Sequence, residues 1–135
     1  MKERTPEEPI FSPSLMCMDL RYVAGQMEIL NRHCDVYHVD IMDGHFAKNI
    51  ALSPAFVSVV RSLTSLPVDA HLMVTQPGDY IDALAAAGAS VITVHAETIG
   101  TEAFRTIRRI QAAGCQVGVA LCPATPLAMA ESYLG

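Results

Sequence analysis

The run Val36-Tyr37-His38-Val39-Asp40-Ile41-Met42 decides the fold. It is seven residues long and apolar except at His38 and Asp40, and it gives way at once to the loop Asp43-Gly44-His45-Phe46. A short apolar run bounded by turn residues reads as a buried strand. Four more runs of the same kind lie either side of it: Ile10–Met18, Val68–Val74, Val91–His95 and Val117–Leu121. They begin near positions 10, 36, 68, 91 and 117, so one repeat takes about 27 residues. Strands that are apolar nearly throughout belong to a parallel sheet covered on its faces.

The intervening segments have helical spacing. Asp19 is expected to cap a helix carrying Leu20, Val23, Met27 and Leu30, at steps of three and four residues. Ser53-Pro54 supplies an N-cap and a proline at the first helical position, ahead of Phe56, Val57, Val59, Val60 and Leu63. Gln76-Pro77 leads into a helix over Tyr80–Ala87, with Gly88 closing it. Thr101 opens the next, with Phe104, Ile107 and Ile110 on one face and Gly114 at its end. Thr125-Pro126 starts another. Two architectures repeat strand and helix in this way, the open doubly wound sheet and the closed eight-unit barrel. No Gly-x-Gly-x-x-Gly loop follows the first run, which weakens the dinucleotide-binding form of the open sheet. Eight units of this size would need roughly 215 residues, within the range of the barrel. The 135 residues hold five.

Composition narrows the function classes. Nine basic residues face 14 acidic ones, a net charge of −5 with no Lys/Arg cluster, whereas phosphate-backbone binding needs a basic patch. Nucleic acid is not the expected partner. Cys17, Cys34, Cys115 and Cys122 form no Cys-x-x-Cys pair, which fits a reduced, cytoplasmic chain. Residues 1–9, MKERTPEEP, read as a flexible arm without an apolar signal segment. The longest uncharged stretch, 110–130, contains Gly114, Gly118, Pro123 and Pro126, so it reads as turn, strand and turn rather than a membrane helix.

Polar residues gather at the carboxyl ends of the runs, where both architectures place their sites. His38 and Asp40 leave the same strand face. Buried together, they need either a divalent metal or a mutual hydrogen bond. His71, in Asp69-Ala70-His71-Leu72-Met73, is expected at an equivalent height on the neighbouring strand. Two histidines and a carboxylate suit zinc, iron(II), manganese or cobalt. His95 and Glu97 read as the polar rim of a barrel mouth in preference to a fourth ligand, and His45 as a loop or lid residue rather than a ligand. Ser14 could bond a substrate hydroxyl. Met16, Met42 and Met73 fall near strand ends, as core filler or an apolar collar. Cys122 reads as a buried thiol.

In order along the chain, Phe11-Ser-Pro-Ser14-Leu, Tyr37-His-Val-Asp-Ile-Met-Asp-Gly-His-Phe46, Asp69-Ala-His-Leu-Met73, Ala87-Gly-Ala-Ser-Val-Ile-Thr-Val-His95 and Pro123-Ala-Thr-Pro126 resemble the ribulose-phosphate 3-epimerase family. Ser14-Leu-Met-Cys-Met-Asp19, Leu52-Ser-Pro54 and His95-Ala-Glu-Thr98 are most like the relatives that epimerise D-allulose 6-phosphate. The resemblance implies an α/β fold, a parallel (β/α)8 TIM barrel of the ribulose-phosphate-binding type. About its first five units lie in residues 10–135.

It also implies an isomerase of carbohydrate metabolism with no organic cofactor and one divalent metal ion (Zn, Fe(II), Mn or Co). A ketose phosphate would be inverted at C3 through an enediolate, as D-allulose 6-phosphate to D-fructose 6-phosphate or, alternatively, D-ribulose 5-phosphate to D-xylulose 5-phosphate. His38, Asp40 and His71 would hold the metal, with Asp40 also the catalytic proton acceptor. Ser14, His71, Met42 and Met73 would contact substrate. Three features depart from the family's pattern. Ala47-Lys48-Asn49 follows Phe46 without the usual proline, and Cys122 stands where an asparagine is usual. The family's second aspartate and its phosphate-binding loops belong to later units.

The expectation is therefore the amino-terminal part of an epimerase with little or no turnover of its own. The alternative is an inactive fragment with an assembly role, its edge strands paired with another chain. A homo-oligomer is the expected state.

Overall fold

The computed structural model describes residues 8–133. Most of the expected arm, residues 1–7, lies outside them. The elements run in chain order as helix α1 (Val23–Leu30), strands β1 (Tyr37–Asp43) and β2 (Ile50–Ala51), helix α2 (Pro54–Leu63), strand β3 (Val68–Met73), helix α3 (Ile81–Ala86), strand β4 (Val91–His95), helices α4 (Ala96–Ile99) and α5 (Ala103–Ala112), and strand β5 (Gln116–Ala120). The sheet has the order β2-β1-β3-β4-β5. All pairings are parallel except β1 with β2. This is a parallel-dominated α/β sheet with alternating helices, the arrangement of a partial TIM barrel.

The core lies between the sheet and its helices. Tyr37, Val39 and Ile41 of β1, Val68, Ala70 and Leu72 of β3, and Ile92 and Val94 of β4 are buried against Met27, Val57, Val60, Ile81, Leu84 and Ile110. The opposite sheet face carries His38, Asp40, Asp69, His71, Thr93 and Gly118, so polar side chains occupy alternate positions on three adjacent strands. A one-residue slip would bury them among the aliphatic side chains.

Several sequence expectations need correction. The run 10–18 is not a strand of the ladder. It meets β1 through a single parallel bridge, Ser14 to His38, and then turns into a 3-10 helix over Leu15–Cys17. Pro9 and Pro13 lack the N–H groups that a ladder requires, and the Ser14 hydroxyl accepts from the Met16 amide to cap the turn. Asp19 does not cap α1. Its carboxylate accepts from the Arg21 amide and guanidinium, forming a local turn, and the helix begins four residues later with only Met27 fully buried. In α5 the buried face is Ala103, Thr106 and Ile110. Phe104 is exposed instead and lies edge-on to Tyr133 at 6.2 Å. After Pro126 there is no regular α-helix among the described residues, only 3-10 turns at Leu127–Met129 and Glu131–Tyr133.

The expected helix boundaries at α2 and α3 are present, although the Ser53 side chain makes no capping hydrogen bond. Ser53 precedes Pro54 at the start of α2. Gly88 takes φ +90° beyond α3, its amide bonding Ala85 O while the Ala89 amide reaches Leu84 O. Such a left-handed turn favours glycine.

Candidate metal and active site

Register assembles the site. Parallel pairing sets His38 opposite Asp69, Asp40 opposite His71, and Met42 opposite Met73. His71 therefore stands one step above His38, level with Asp40, rather than at the height of His38. Their donor atoms nonetheless converge: His38 Nε2 is 3.1 Å from Asp40 Oδ1 and 3.3 Å from His71 Nδ1, and His71 Nδ1 is 3.0 Å from the same Asp40 oxygen.

His38 and Asp40 are each anchored from behind. Asp69 Oδ2 lies 2.9 Å from His38 Nδ1, taking that proton and leaving Nε2 as the lone-pair atom. Thr93 in turn donates its hydroxyl to Asp69 Oδ1 at 2.7 Å. Gly118 on β5 makes that contact possible, because a Cβ there would lie 2.1 Å from Thr93 Oγ1. Ser14 donates to the other oxygen of Asp40, Oδ2, at 2.5 Å. Burial pushes the Asp40 carboxyl up, but the bonds from Ser14 and His71 and the nearby histidines outweigh it and hold it below its usual value. Hydrogen bonding to Asp69 raises His38, against the opposing effect of burial.

A divalent cation fits this donor set. Two neutral imidazoles and a carboxylate direct lone pairs at one point, which only protons or a cation can hold together. Donors at metal–ligand lengths of about 2.0–2.2 Å stand about 3.0 Å apart at a right angle and about 3.4 Å apart at the tetrahedral angle. The observed separations of 3.0–3.3 Å lie between these.

Sequence reasoning missed Asp69, although its spacing of two from His71 puts it on the same face. It also misjudged His95. Far from a solvated rim, His95 is buried, 6% exposed. Its ring stacks on His71 at 5.0 Å and meets Phe46 at 4.7 Å, with His71 Nε2 and His95 Nε2 2.9 Å apart. Burial, with the neighbouring His71, keeps His95 below its usual pKa. Glu97 is likewise drawn in. Hydrogen bonds from Thr125 and the Cys122 amide overcome its burial and bring its carboxyl down to about 2. His45 is exposed on its loop. Met42 and Met73 are half-buried on the site face, while Met16 is exposed on the 3-10 turn.

A comparison with protein families matches residues 10–135 to the ribulose-phosphate 3 epimerase family. The chain belongs to that family. Among its epimerase relatives, the ribulose-phosphate 3-epimerase of Bacillus subtilis is 40% identical over 121 residues, covering 89% of this chain and 55% of the relative. The chloroplastic ribulose-5-phosphate-3-epimerase of Arabidopsis thaliana is 37% identical over 127 residues, 93% of this chain and 45% of the relative. That of Rhodobacter capsulatus is 38% identical over 124 residues, 91% and 54%. The chain spans about half the length of the curated relatives it matches. The epimerase family covers every residue of the His38–Asp40–His71 cluster.

Proposed function

We propose that the chain carries the proton-abstracting half of an active site that epimerises a pentulose phosphate at C3, interconverting D-ribulose 5-phosphate and D-xylulose 5-phosphate. The observation that supports this is the convergence of His38, Asp40 and His71 on one point on the polar face of β1 and β3, within a chain of the epimerase family. His38, Asp40 and His71 would hold one divalent ion, of zinc, iron(II), manganese or cobalt. When bound, the ion supplies positive charge that stabilises the enediolate oxygens as the C3 proton leaves.

The chain's own residues do the rest. Asp40, ionised and buried, accepts the C3 proton on Oδ2, the oxygen that Ser14 holds. Ser14 fixes the carboxylate while leaving it a lone pair. His71 and Ser14 lie where they would also meet substrate hydroxyls. Met42 and Met73, paired across β1 and β3, wall off the reacting carbon from water.

D-Allulose 6-phosphate remains the second candidate, on the motifs at 14–19, 52–54 and 95–98. The relatives described above are all named for ribulose phosphate, which favours the pentulose. A homo-oligomer in the cytoplasm is the proposed setting.

Solvent exchange tests the assignment. In deuterated water with manganese(II), the chain should exchange the C3 proton of D-ribulose 5-phosphate, read by proton NMR, slowly and without completing epimerisation, yet faster than that of D-allulose 6-phosphate. Asp40→Asn should abolish the exchange, and equal rates in both chains would overturn the role of Asp40. Faster exchange of the hexulose would transfer the substrate assignment to D-allulose 6-phosphate.

A further inference from the structure

A second group of donors lies behind the first. Glu97 follows β4, and Cys122 follows β5. The Glu97 oxygen Oε1 is fully engaged: it accepts from the Cys122 amide at 2.7 Å and from the Thr125 hydroxyl. Its other oxygen, Oε2, is buried and has no hydrogen-bond partner. That oxygen lies 3.3 Å from His95 Nδ1, and the Cys122 sulfur lies 3.8 Å from the same nitrogen. A buried carboxylate oxygen left without a donor costs about 1–3 kcal/mol or more, so its position calls for a positive partner.

We propose that His95, Glu97 and Cys122 form a second metal site, for a borderline-soft divalent ion of the zinc class. Their ligand atoms all lie within 4.8 Å of one another. Sulfur at about 2.3 Å and nitrogen at about 2.0 Å from a shared ion stand about 3.5 Å apart at the tetrahedral angle, and nitrogen and oxygen about 3.4 Å apart. The observed 3.8 and 3.3 Å lie within about 0.3 Å of that set. Thiolate with imidazole selects zinc or cobalt over the harder ions that a carboxylate and two imidazoles also accept. Binding forms a metal–sulfur bond as the Cys122 S–H bond breaks, and one proton passes to solvent per ion bound. Three protein ligands leave one coordination position open.

The two sites share a hydrogen bond. His71 Nε2 and His95 Nε2 are 2.9 Å apart, a distance that holds one proton and not two. Two neutral rings that both bind through Nδ1 would each carry a proton on Nε2. An ion at the second site is therefore held best where the first site is empty.

Cobalt(II) reads the thiolate directly. Titrated into the full chain carrying His38→Ala, cobalt should bind with a sulfur-to-cobalt charge-transfer band in the near ultraviolet, and adding Cys122→Ser should abolish the band. In the chain without substitutions the band should grow only after the first equivalent. The proposal fails if no band forms in a His38→Ala chain that keeps its circular dichroism spectrum, or if the band survives Cys122→Ser. If His38→Ala disturbs the fold, the unsubstituted chain decides. Cobalt binding there beyond one equivalent without any band removes the second site and leaves the first assignment standing.

Discussion

Asp69 shows most clearly how one side chain acts through another. It touches His38 at the nitrogen away from the cluster, so its effect is on tautomer and ring direction rather than on chemistry. A carboxylate behind a ligating histidine raises its basicity and fixes its orientation. Asp69→Asn keeps an acceptor for Thr93 but presents a neutral amide to His38. It should weaken divalent-metal affinity about 10- to 100-fold, measured by competition with a chelator, while the circular dichroism spectrum is kept. Unchanged affinity would show that His38 is oriented by packing alone. The cluster itself was legible in sequence because His38, Asp40 and His71 sit at intervals that a strand converts directly into a shared face. His95 was not. Nothing in the sequence marks that the Phe46 loop returns to cover it, or that β4 pairs in the register that brings it onto His71.

Among the elements, the four long parallel strands were readable because each is an apolar run closed by turn residues, and Ser53-Pro54 and Gly88 marked helix boundaries for definite backbone reasons. The misses have equally definite causes. Residues 10–18 are apolar enough for a strand, yet Pro9 and Pro13 remove ladder donors. Ile50–Ala51 is too short to show a period. At the first helix, Asp19 was diverted by a neighbouring guanidinium. One further element-level feature is the loop that follows β1. Asp43 ends that strand and accepts four hydrogen bonds, from the Thr75 amide and hydroxyl at 2.7 and 2.8 Å and from the His45 and Phe46 amides at 2.8 and 2.9 Å. It thereby ties the loop after β1 to the loop after β3. Desolvation pushes its carboxyl up, but these donors prevail and hold it well below the usual carboxylate range. A group whose pKa is lower folded than unfolded stabilises above its unfolded value, about 3.9 for aspartate, and loses that stabilisation as pH falls toward the folded value. Asp43→Asn sets an amide N–H₂ against the Thr75 donors, so the variant should unfold at lower urea concentration at pH 7. The gap between the two midpoints should narrow below about pH 4, where the unfolded-state carboxylate begins to protonate while the folded one stays ionised. A gap that stays constant or widens in acid would show that the effect is steric.

At the scale of the whole molecule, the sheet is unevenly covered. β3 lies between two long parallel neighbours, and Val68, Ala70 and Leu72 are wholly buried. β5 has a neighbour on one side only among the described residues, and none of its five residues is fully buried. The other edge is held by the two residues of β2, which run antiparallel and so offer little ladder to continue. No helix among the described residues is long and apolar enough to cross a membrane. The homo-oligomer proposed above would use the ladder of β5, which has no second neighbour among the described residues, because an unpaired row of N–H and C=O groups is a template for another strand. Local opening should follow the same gradient, since edge segments with few buried contacts open at lower free energy than the core. In amide hydrogen exchange of the dilute chain, Ala70 and Leu72 should exchange slowest and the amides of Val117–Ala120 markedly faster. Raising the protein concentration should slow exchange in β5 while leaving β3 unchanged, because only the edge gains a partner. Exchange in β5 as slow as in β3 and independent of concentration would contradict the open-edge reading, whereas fast exchange that ignores concentration would show that the edge stays unpaired.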